Sequence, residues 1–567
     1  MKNIFKNILI YALVLIFVLG LAVSPAVAQV PPFSDDYEEV DVKVNGKAIS
    51  DKAFTIKGNV YIKVSTLKKY GDMSHLTVNT ADSKITFKAS DLDLNLGSDE
   101  ATEFVTKYAG ECFIPTKSFD DENGKKDVFV SIGPIAQIAK LAWSYSNGTL
   151  LISQYSKATN LATAGVVTNT IASLKNKSVA SLSTGEKVFI IKESNSFYKV
   201  ESLDGSQYYV NKSEIKKVDD VSQLNDFEYI ATSKDTFSGK INLGWLNMSD
   251  NATRTPLPPE DTTGLNVLSP IWLHSPANRD GYVRHLCDYG YVQLAHEKGY
   301  KVWMCANNNF IETGTTKYTT QVLASDKLSN RVIGQYLLYA CLYEVDGICL
   351  DYETLTNTDK DNFTKFNQKL GKYCNQLGIT YSIATYPYNK SNCYRYDFEK
   401  LGECADYIAP MMYWTSKTNM GSTSDYEWYT DSVNQLATVV PANKILLGTP
   451  FFARFWYTDK NGNVINSSSN TGTIGMGSVL EKISNKDFKK TWDDGAKQYI
   501  LNYPSDTGNY VKLWMEDVTS MAYRLDYVLD AGLAGTACWA LDQESPDLLQ
   551  IIDDVYNHGA NPESYFK

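Results

Sequence analysis

The stretch VDGICLDYETL, residues 345–355, sets three carboxylates into an apolar segment: Asp346, Asp351 and Glu353. Side chains alternate along a β-strand, so Cys349, Asp351 and Glu353 face the same way. Asp351 and Glu353 then lie about 6–7 Å apart along the strand. Two carboxylates this close raise the pKa of one of them, which keeps a carboxylic acid protonated near neutral pH. Cleavage of a glycosidic bond needs such an acid.

Strand-like segments alternate with amphipathic helices on both sides of this pair. Eight β/α units in about 320 residues predict an α/β fold, a (β/α)8 TIM barrel over residues 238–558, with an insertion before the eighth strand. Residues 497–516 within the insertion predict a β-hairpin. The eight strands are predicted at residues 240–246, 265–273, 301–307, 347–353, 379–385, 406–414, 444–450 and 535–541.

The predicted barrel indicates where Asp351 and Glu353 lie. Inward-facing side chains near the carboxyl end of a barrel strand reach the active-site mouth, so Asp351 and Glu353 are predicted there. The alternative is that they cap the helix that follows the strand. Capping explains one carboxylate in the loop but not two on an inward face.

The segment DGICLDYE, residues 346–353, resembles the D-G-x-D-x-D-x-E signature of glycoside hydrolase family 18, which includes chitinases and endo-N-acetylglucosaminidases. PMMY at 410–413, LGTPFFARFW at 447–456 and the segment 510–544 support the resemblance, which spans about 238–556. The bacterial, spore-associated branch is the most similar. Its substrates are peptidoglycan or cortex fragments.

The resemblance implies a substrate-assisted reaction without an enzyme nucleophile. Glu353 should protonate the glycosidic oxygen while the substrate's own acetamido oxygen attacks the anomeric carbon. Asp351 should stabilise the resulting cyclic cation, and Tyr413 should hydrogen-bond the acetamido oxygen. Trp539 should form the floor under the sugar, although ordinary barrel packing is the alternative.

Further residues are expected to bind substrate. We expect Trp414, Trp245 and Tyr386 to contact the sugar. Arg454 resembles an arginine of the family that either contacts substrate or supports the fold. Asp346 begins the signature but lies deeper, so a structural role is expected.

Two positions depart from the family pattern. Cys349 takes the place of the middle Asp, which in typical chitinases shares a proton with the next Asp. A thiol is a weaker hydrogen-bond partner with a higher pKa, so a changed pH profile is expected rather than inactivity. Trp414 stands where many members carry Asp, which weakens the case for chitin itself.

The region before the barrel is predicted to contain two small strand-rich domains. Residues 38–157, with a turn at Asn45-Gly46, resemble the stalk domain named after the copper amine oxidase N-terminus. The resemblance rests on KVNGK and on FIP at 113–115. No copper ligands are present in this segment. Residues 178–218 resemble the bacterial Src-homology-three-like wall-binding module, carried by Gly185, FYKV at 197–200, Asp204-Gly205 and Tyr209-Val210. Cell-wall attachment and a spacer without ligand both remain open for this module.

Residues 1–28 predict a signal peptide, with a positive start, a long apolar run and a small-residue cleavage site at AVA. An uncleaved anchor is the alternative, because the run approaches membrane-spanning length. We therefore expect a secreted, cell-wall or spore-associated protein. The nine Cys include no CxxC and predict buried thiols rather than a disulfide framework.

Composition and net charge restrict the classes of partner that the protein can bind. The net charge of −11 argues against nucleic acid. The five His are not clustered, so no metal site and no cofactor are expected. The 38 Tyr and 10 Trp suit sugar binding as well as core packing. We expect a monomer whose partner is a polysaccharide containing N-acetylglucosamine.

Three functions fit these features. The first is an exported retaining hydrolase of peptidoglycan-type glycans, with chitin as the alternative substrate. The second is a sugar-binding protein on an inactive barrel, and the third is a structural wall or spore-surface protein. Glu353 favours the enzyme, because lectin-like relatives typically lose the acid.

Overall fold

The structure is a computed structural model. It describes residues 37–567 apart from 121–125, 155–162, 168–170, 176–177, 183–186, 202–206, 219–224, 232–233, 235–236, 249–254, 257, 260–263, 276–279, 309–317, 390–393, 416–418, 466–470 and 507. The predicted signal peptide, Gly185 and Asp204-Gly205 lie outside the described residues.

A nine-stranded sheet forms the first part of the described chain. Its inner strands alternate buried and exposed side chains, as in Tyr37–Val44, because one face covers an apolar core. The order across the sheet is Thr77–Asn79, Lys84–Lys88, Glu111–Asp120, Lys126–Ser131, Asn59–Lys63, Lys47–Ile56, Tyr37–Val44, Thr149–Gln154 and Leu141–Ser146. The helices here are Val64–Tyr70, Ala89–Asp91 (3-10), Asp99–Tyr108 and Ile132–Ala136.

A separate five-stranded antiparallel sheet follows. Its buried residues, among them Val188, Tyr198 and Val200, form their own small core. The sheet order is Gln207–Asn211, Phe197–Glu201, Lys187–Glu193, Thr163–Val167 and Ile215–Val218, with a hairpin of Ile171–Lys175 and Ser178–Leu182 and a 3-10 turn at Lys212–Glu214. The chain is thus strand-rich before the barrel, while the two domain assignments remain predictions.

The predicted (β/α)8 barrel is confirmed. Eight parallel strands pair in chain order, the first with the eighth, and a bridge between Ile408 and Ile445 closes the sixth to the seventh. Strands one to eight are Ile241–Leu246, Val267–Ser275, Lys301–Asn308, Gly347–Asp351, Thr380–Thr385, Tyr407–Pro410, Leu446–Pro450 and Gly535–Trp539. All eight fall within or beside the predicted segments.

The remaining elements surround or extend the barrel. Leu94–Asn95 pairs with Phe227–Glu228, and Arg284–His285 pairs with strand two. The helices are Tyr289–Glu297, Tyr318–Leu323, Asp326–Leu342, Lys360–Gln376, Phe398–Cys404, Tyr426–Leu436, Met476–Ile483, Val518–Asp530 and Pro546–Tyr556, with 3-10 turns at Ala442–Lys444 and Pro562–Tyr565.

The insertion lies between strands seven and eight and forms a five-stranded antiparallel sheet. The predicted hairpin is confirmed as the pair Gln498–Pro504 and Tyr510–Met515. The sheet order is Thr471–Gly475, Phe452–Thr458, Tyr510–Met515, Gln498–Pro504 and Lys489–Asp493.

A buried ion pair joins the insertion to the barrel helices. Arg524 Nη2 and Nε donate to the carboxylate of Glu516 at 2.6 and 3.2 Å, and both side chains are at most 2% exposed. Glu516 also accepts from Gln498 Nε2 and from Ser520 Oγ. Arg524 donates in addition to the carbonyl of Ser424, so the pair fixes the loop after strand six as well.

The N-terminal sheet packs directly on the barrel helices. Helix Asp99–Tyr108 lies along helix Asp326–Leu342, and a Cβ on Gly334 would sit 2.8 Å from the backbone nitrogen of Ala109. Asn59 Nδ2 donates to Asp288, the N-cap of helix Tyr289–Glu297, at 3.1 Å. Such close approach requires glycine and fixes the sheet against the side of the barrel.

The described cysteines are buried thiols, as expected. All eight of them are free, and only Cys404 is partly exposed. Within the described residues, no helix has both the length and the apolar character needed to cross a membrane.

Candidate active site

A cleft of about 690 Å³ opens at the carboxyl ends of the barrel strands. Seven of the eight residues predicted for catalysis or substrate binding line it: Asp351, Glu353, Tyr386, Tyr413, Trp414, Arg454 and Trp539. The cleft therefore brings Asp351 and Glu353 together with five aromatic or cationic side chains from four other parts of the chain.

Glu353 lies just beyond its strand. Strand four ends at Asp351, two residues earlier than predicted, because the side chain of Asn308 takes over the pairing. Asn308 Oδ1 accepts from the backbone N–H of Glu353 at 2.8 Å, and its Nδ2 donates to the Glu353 carbonyl at 2.7 Å. Thr354 follows with a φ of +52° and donates its N–H to Tyr386 Oη at 3.1 Å. Both sides of the turn are thus fixed.

Neither carboxylate caps the following helix, so that alternative is wrong. Helix Lys360–Gln376 begins after Asp359, far beyond Glu353, and no side chain caps its first turn. Asp359 instead accepts from the N–H and hydroxyl of Thr356. The carboxylates of the opening segment remain available to the cleft.

Asp351 lies in a buried position, where ionisation of its carboxyl costs free energy. It is 8% exposed, and its Oδ1 has no hydrogen-bond partner among the described residues. Burial, followed by the charges of Glu353 and Cys349, holds the pKa of Asp351 well above its usual range. The sequence predicts that one carboxyl of the pair has a raised pKa, and the raised pKa here belongs to Asp351, the deeper member.

Aromatic side chains enclose the two carboxylates. Tyr413 is buried, and burial followed by Asp351 and Glu353 raises its pKa well above the usual value. Burial and Glu353 likewise raise the pKa of Tyr386 to about 12, so both phenols remain donors at neutral pH. Trp539 is only partly buried and presents one face to the cleft.

Trp245 is the one predicted substrate contact that does not line the cleft. It is 2% exposed, and its ring centroid lies 6.2 Å from that of Trp539. Trp245 is thus buried next to Trp539 and does not reach the open surface of the cleft. Its position is therefore beneath the floor rather than on it.

Cys349 sits inside a ring of hydrogen-bond donors. Its strand neighbours are Cys305 and Ser382, which pair with it directly in the parallel register. Trp245 Nε1, Ser269 Oγ and Ser382 Oγ also lie around its sulfur, and none of these three makes a hydrogen bond of standard geometry to a described residue.

This ring favours the anionic form of position 349. The Cys305 thiol, followed by the hydroxyl and indole donors, lowers the pKa of Cys349 to about 7 against the opposing effect of burial. Cys305 keeps its proton, because its contact with Cys349 and its burial raise its pKa. Hydrogen-bond donors that would stabilise an ionised carboxylate thus surround the thiol of Cys349.

Two arginines extend from the carboxylates along the cleft. Arg454 lies on the first strand of the insertion, with its guanidinium 6.0 Å from the ring of Trp414 and 5.0 Å from that of Trp456. Arg395, which the sequence did not single out, lies in the loop after strand five. Loop residues carry no periodicity, so no sequence signal pointed to it.

Asp346 lies at the opposite end of strand four, as expected for a structural residue. Its carboxylate is 2.7 Å from His296 Nε2, 2.8 Å from the Val302 N–H and 3.1 Å from Lys301 Nζ. Burial raises its pKa, but these donors outweigh burial and the net shift is downward. Asp346 therefore ties strands three and four to the preceding helix.

A second cavity, of about 640 Å³, lies between the N-terminal sheet and the barrel. Its carboxylates already have partners: Asp288 accepts from Asn59 and from the Tyr291 N–H, and Asp82 is 3.6 Å from Lys84. Among the described residues, no group of three His, Cys, Asp or Glu side chains is arranged to hold a metal ion. The paired carboxylates with aromatic walls occur in the barrel cleft.

Residues 302–544 match the family model Glycosyl hydrolases family 18. The chain is 21% identical over 275 residues to a glycosylase of Bacillus subtilis, YvbX, covering 46% of this chain and 76% of the relative. It is 22% identical over 246 residues to the cortical fragment-lytic enzyme of Bacillus subtilis, covering 42% of this chain and about half, 56%, of that relative.

Among solved structures, the spore cortex-lytic enzyme SleL of Bacillus megaterium aligns with a TM-score of 0.49 and 18% identity. The alignment covers 67% of this chain and 80% of that one.

Proposed function

We propose that this protein is an exported glycosidase, because residues 302–544 match the family model Glycosyl hydrolases family 18. Its substrates are β-linked glycans containing N-acetylglucosamine, of the peptidoglycan or cortex type. The observation that carries the proposal is the placement of Asp351 and Glu353 in one open cleft, beside Tyr413 and above Trp539. Export rests on the sequence of residues 1–28 alone.

The reaction proceeds in two steps with retention of configuration. In the first, the acetamido oxygen of the substrate forms a bond to the anomeric carbon as the glycosidic bond breaks, and Glu353 gives its proton to the departing oxygen. In the second, water attacks the anomeric carbon and gives a proton to Glu353. The bond between the acetamido oxygen and the anomeric carbon breaks at the same time. The acetamido group and the acid are then restored.

Asp351 and Tyr413 act on the acetamido group. The first step requires the pair to hold its proton on Glu353 while Asp351 is ionised, and an acetamido group beside Asp351 favours this arrangement. Asp351 is then negative and faces the positive charge of the cyclic intermediate at low dielectric, where the attraction is strong. Tyr413 donates its hydroxyl, which its raised pKa keeps protonated.

Replacement of the acid tests this function. Glu353→Gln removes the proton donor while keeping the shape of the side chain, so release of reducing ends from peptidoglycan should fall at least about 100-fold. The matched control is Glu403→Gln, an exposed glutamate on helix Phe398–Cys404 outside the cleft. Products are identified by mass spectrometry, and folding is checked by the thermal midpoint.

Turnover by Glu353→Gln at the rate of the control would remove Glu353 from the mechanism. The alternative function is a carbohydrate-binding wall or spore-surface protein on the same barrel. The observation that favours it is the burial of Asp351, which raises the pKa of its carboxyl, because Asp351 must be ionised to stabilise the cyclic intermediate. Binding of fragments by the wild type without any product would establish this alternative.

A further inference from the structure

Arg395 occupies a position that connects two parts of the cleft. It lines the main cleft together with Asp351 and Glu353, and it also lines an adjoining cavity of about 440 Å³ beside residues 354–357. Its guanidinium makes cation–π contacts with two rings, 5.4 Å from the centroid of Tyr386 and 5.1 Å from that of Tyr394. The planar group is therefore held in place by flat neighbours.

Among the described residues, no acidic group pairs with this cation. Across the part of the chain that the structure describes, Arg395 has no ion pair and no hydrogen bond, and its Nε is buried without a partner. Several other basic groups have acidic partners: the fully buried Arg524 pairs with Glu516, and the partly buried Lys234 and Lys301 pair with Asp406 and Asp346. In a chain with 65 acidic residues, a partly buried unpaired guanidinium in a cleft is unusual.

The chemistry of the group identifies its ligand. A guanidinium presents its N–H donors in a planar fork that matches a carboxylate, and aromatic stacking preserves the orientation of that fork. A neutral sugar hydroxyl would leave the charge uncompensated. A ligand carboxylate would neutralise it and satisfy the buried Nε.

We propose that Arg395 binds a carboxylate of the substrate, so that the cleft selects glycans bearing carboxylates over neutral polymers of N-acetylglucosamine. The inference rests on the proposed function and names its substrate class. Peptidoglycan meets the requirement through the lactyl groups of its muramic acid and its peptide stems, whereas chitin carries no carboxylate. Arg454, flanked by Trp414 and Trp456, serves the sugar-binding wall instead.

The test compares one charged and one neutral substrate. Arg395→Met should lower kcat/KM on peptidoglycan fragments about 10- to 100-fold, the value of a charge-assisted hydrogen bond, and change kcat/KM on N-acetylglucosamine oligomers less than about threefold. Arg395→Lys keeps the charge without the fork and should lie between. The control is Lys400→Met, which removes an exposed cation paired with Asp397 outside the cleft.

A change in the substrate gives the matching half of the test. Fragments whose carboxylates have been amidated should lose the same factor with the wild type, and Arg395→Met should no longer distinguish them from untreated fragments. Equal losses on both polymers, or no loss on the fragments, would overturn the inference.

Binding separates this inference from the proposed function. In the Glu353→Gln background, the Kd for untreated fragments should rise about 10- to 100-fold when Arg395→Met is added. If the wild type hydrolyses neither polymer but this Kd still depends on Arg395, the proposed hydrolase function fails and the carboxylate site stands. If the Kd does not depend on Arg395, the site fails whatever the activity.

Discussion

Replacing Cys349 by aspartate should move the pH profile of hydrolysis to higher pH. The two side chains have similar volumes, so Cys349→Asp tests charge rather than packing. The site already offers donors: Trp245 Nε1, Ser269 Oγ and Ser382 Oγ surround the sulfur without hydrogen bonds of standard geometry. These donors should stabilise the new carboxylate in its ionised form.

The expected size of the shift follows from the strand geometry. Positions 349 and 351 are two residues apart on strand four, which separates their side chains by about 6.6 Å. At an effective dielectric constant of about 20, two unit charges at this distance repel by about 2.5 kcal/mol. That energy corresponds to about 1.8 pKa units. Below pH 7, Cys349 itself is neutral, so the new charge has no counterpart in the wild type.

The direction of the shift in the pH profile follows from the roles of Asp351 and Glu353. A doubly protonated Asp351–Glu353 pair is inactive because Asp351 is neutral, and a fully ionised pair is inactive because Glu353 has no proton. A nearby negative charge raises both pKa values. The acid limb of kcat/KM should rise by about 1–2 pH units, whereas the base limb should rise less above pH 7, where the wild-type Cys349 thiolate already carries a charge.

The assay is kcat/KM against pH from 3 to 9, which reports the ionisations of the free enzyme. Cys349→Ser is the matched control, because it removes the thiol without adding a charge. A Cys349→Asp profile that superimposes on that of the wild type within about 0.3 pH unit would refute electrostatic coupling between position 349 and Asp351.

Two further predictions concern residues that the structure brought to attention. Asn308→Ala removes both hydrogen bonds that hold the backbone of Glu353, so kcat should fall about 10- to 100-fold with little change in KM; an unchanged kcat would show that Glu353 is positioned without it. Glu516→Ala leaves Arg524 buried and unpaired and should lower the free energy of unfolding by about 3–5 kcal/mol, measured by urea denaturation. The double change to Glu516→Leu and Arg524→Met should restore much of that loss, and a single-variant effect below about 0.5 kcal/mol would contradict the assignment.

Local sequence patterns predicted much of the fold and part of the site. Most strands of the barrel are short apolar runs followed by a periodic helix, and this alternation is visible without any long-range contact. The alternation of side chains along residues 347–353 likewise placed Asp351 on the inner face. The same rule overstated the strand by two residues, because Asn308 from a neighbouring strand ends the pairing after Asp351.

By itself, the sequence determined that eight β/α units form a barrel and that two carboxylates meet at its fourth strand. Only the tertiary structure decided which side chains from different strands and loops lie together: Trp245 beside Trp539, three donors around Cys349, and Arg395 from a loop beside Tyr386. The physical reason is that strand periodicity fixes the face of a residue within its own strand. The tilt and stagger of a closed barrel fix which residues of other strands lie beside it, and both arise only when the whole sheet closes.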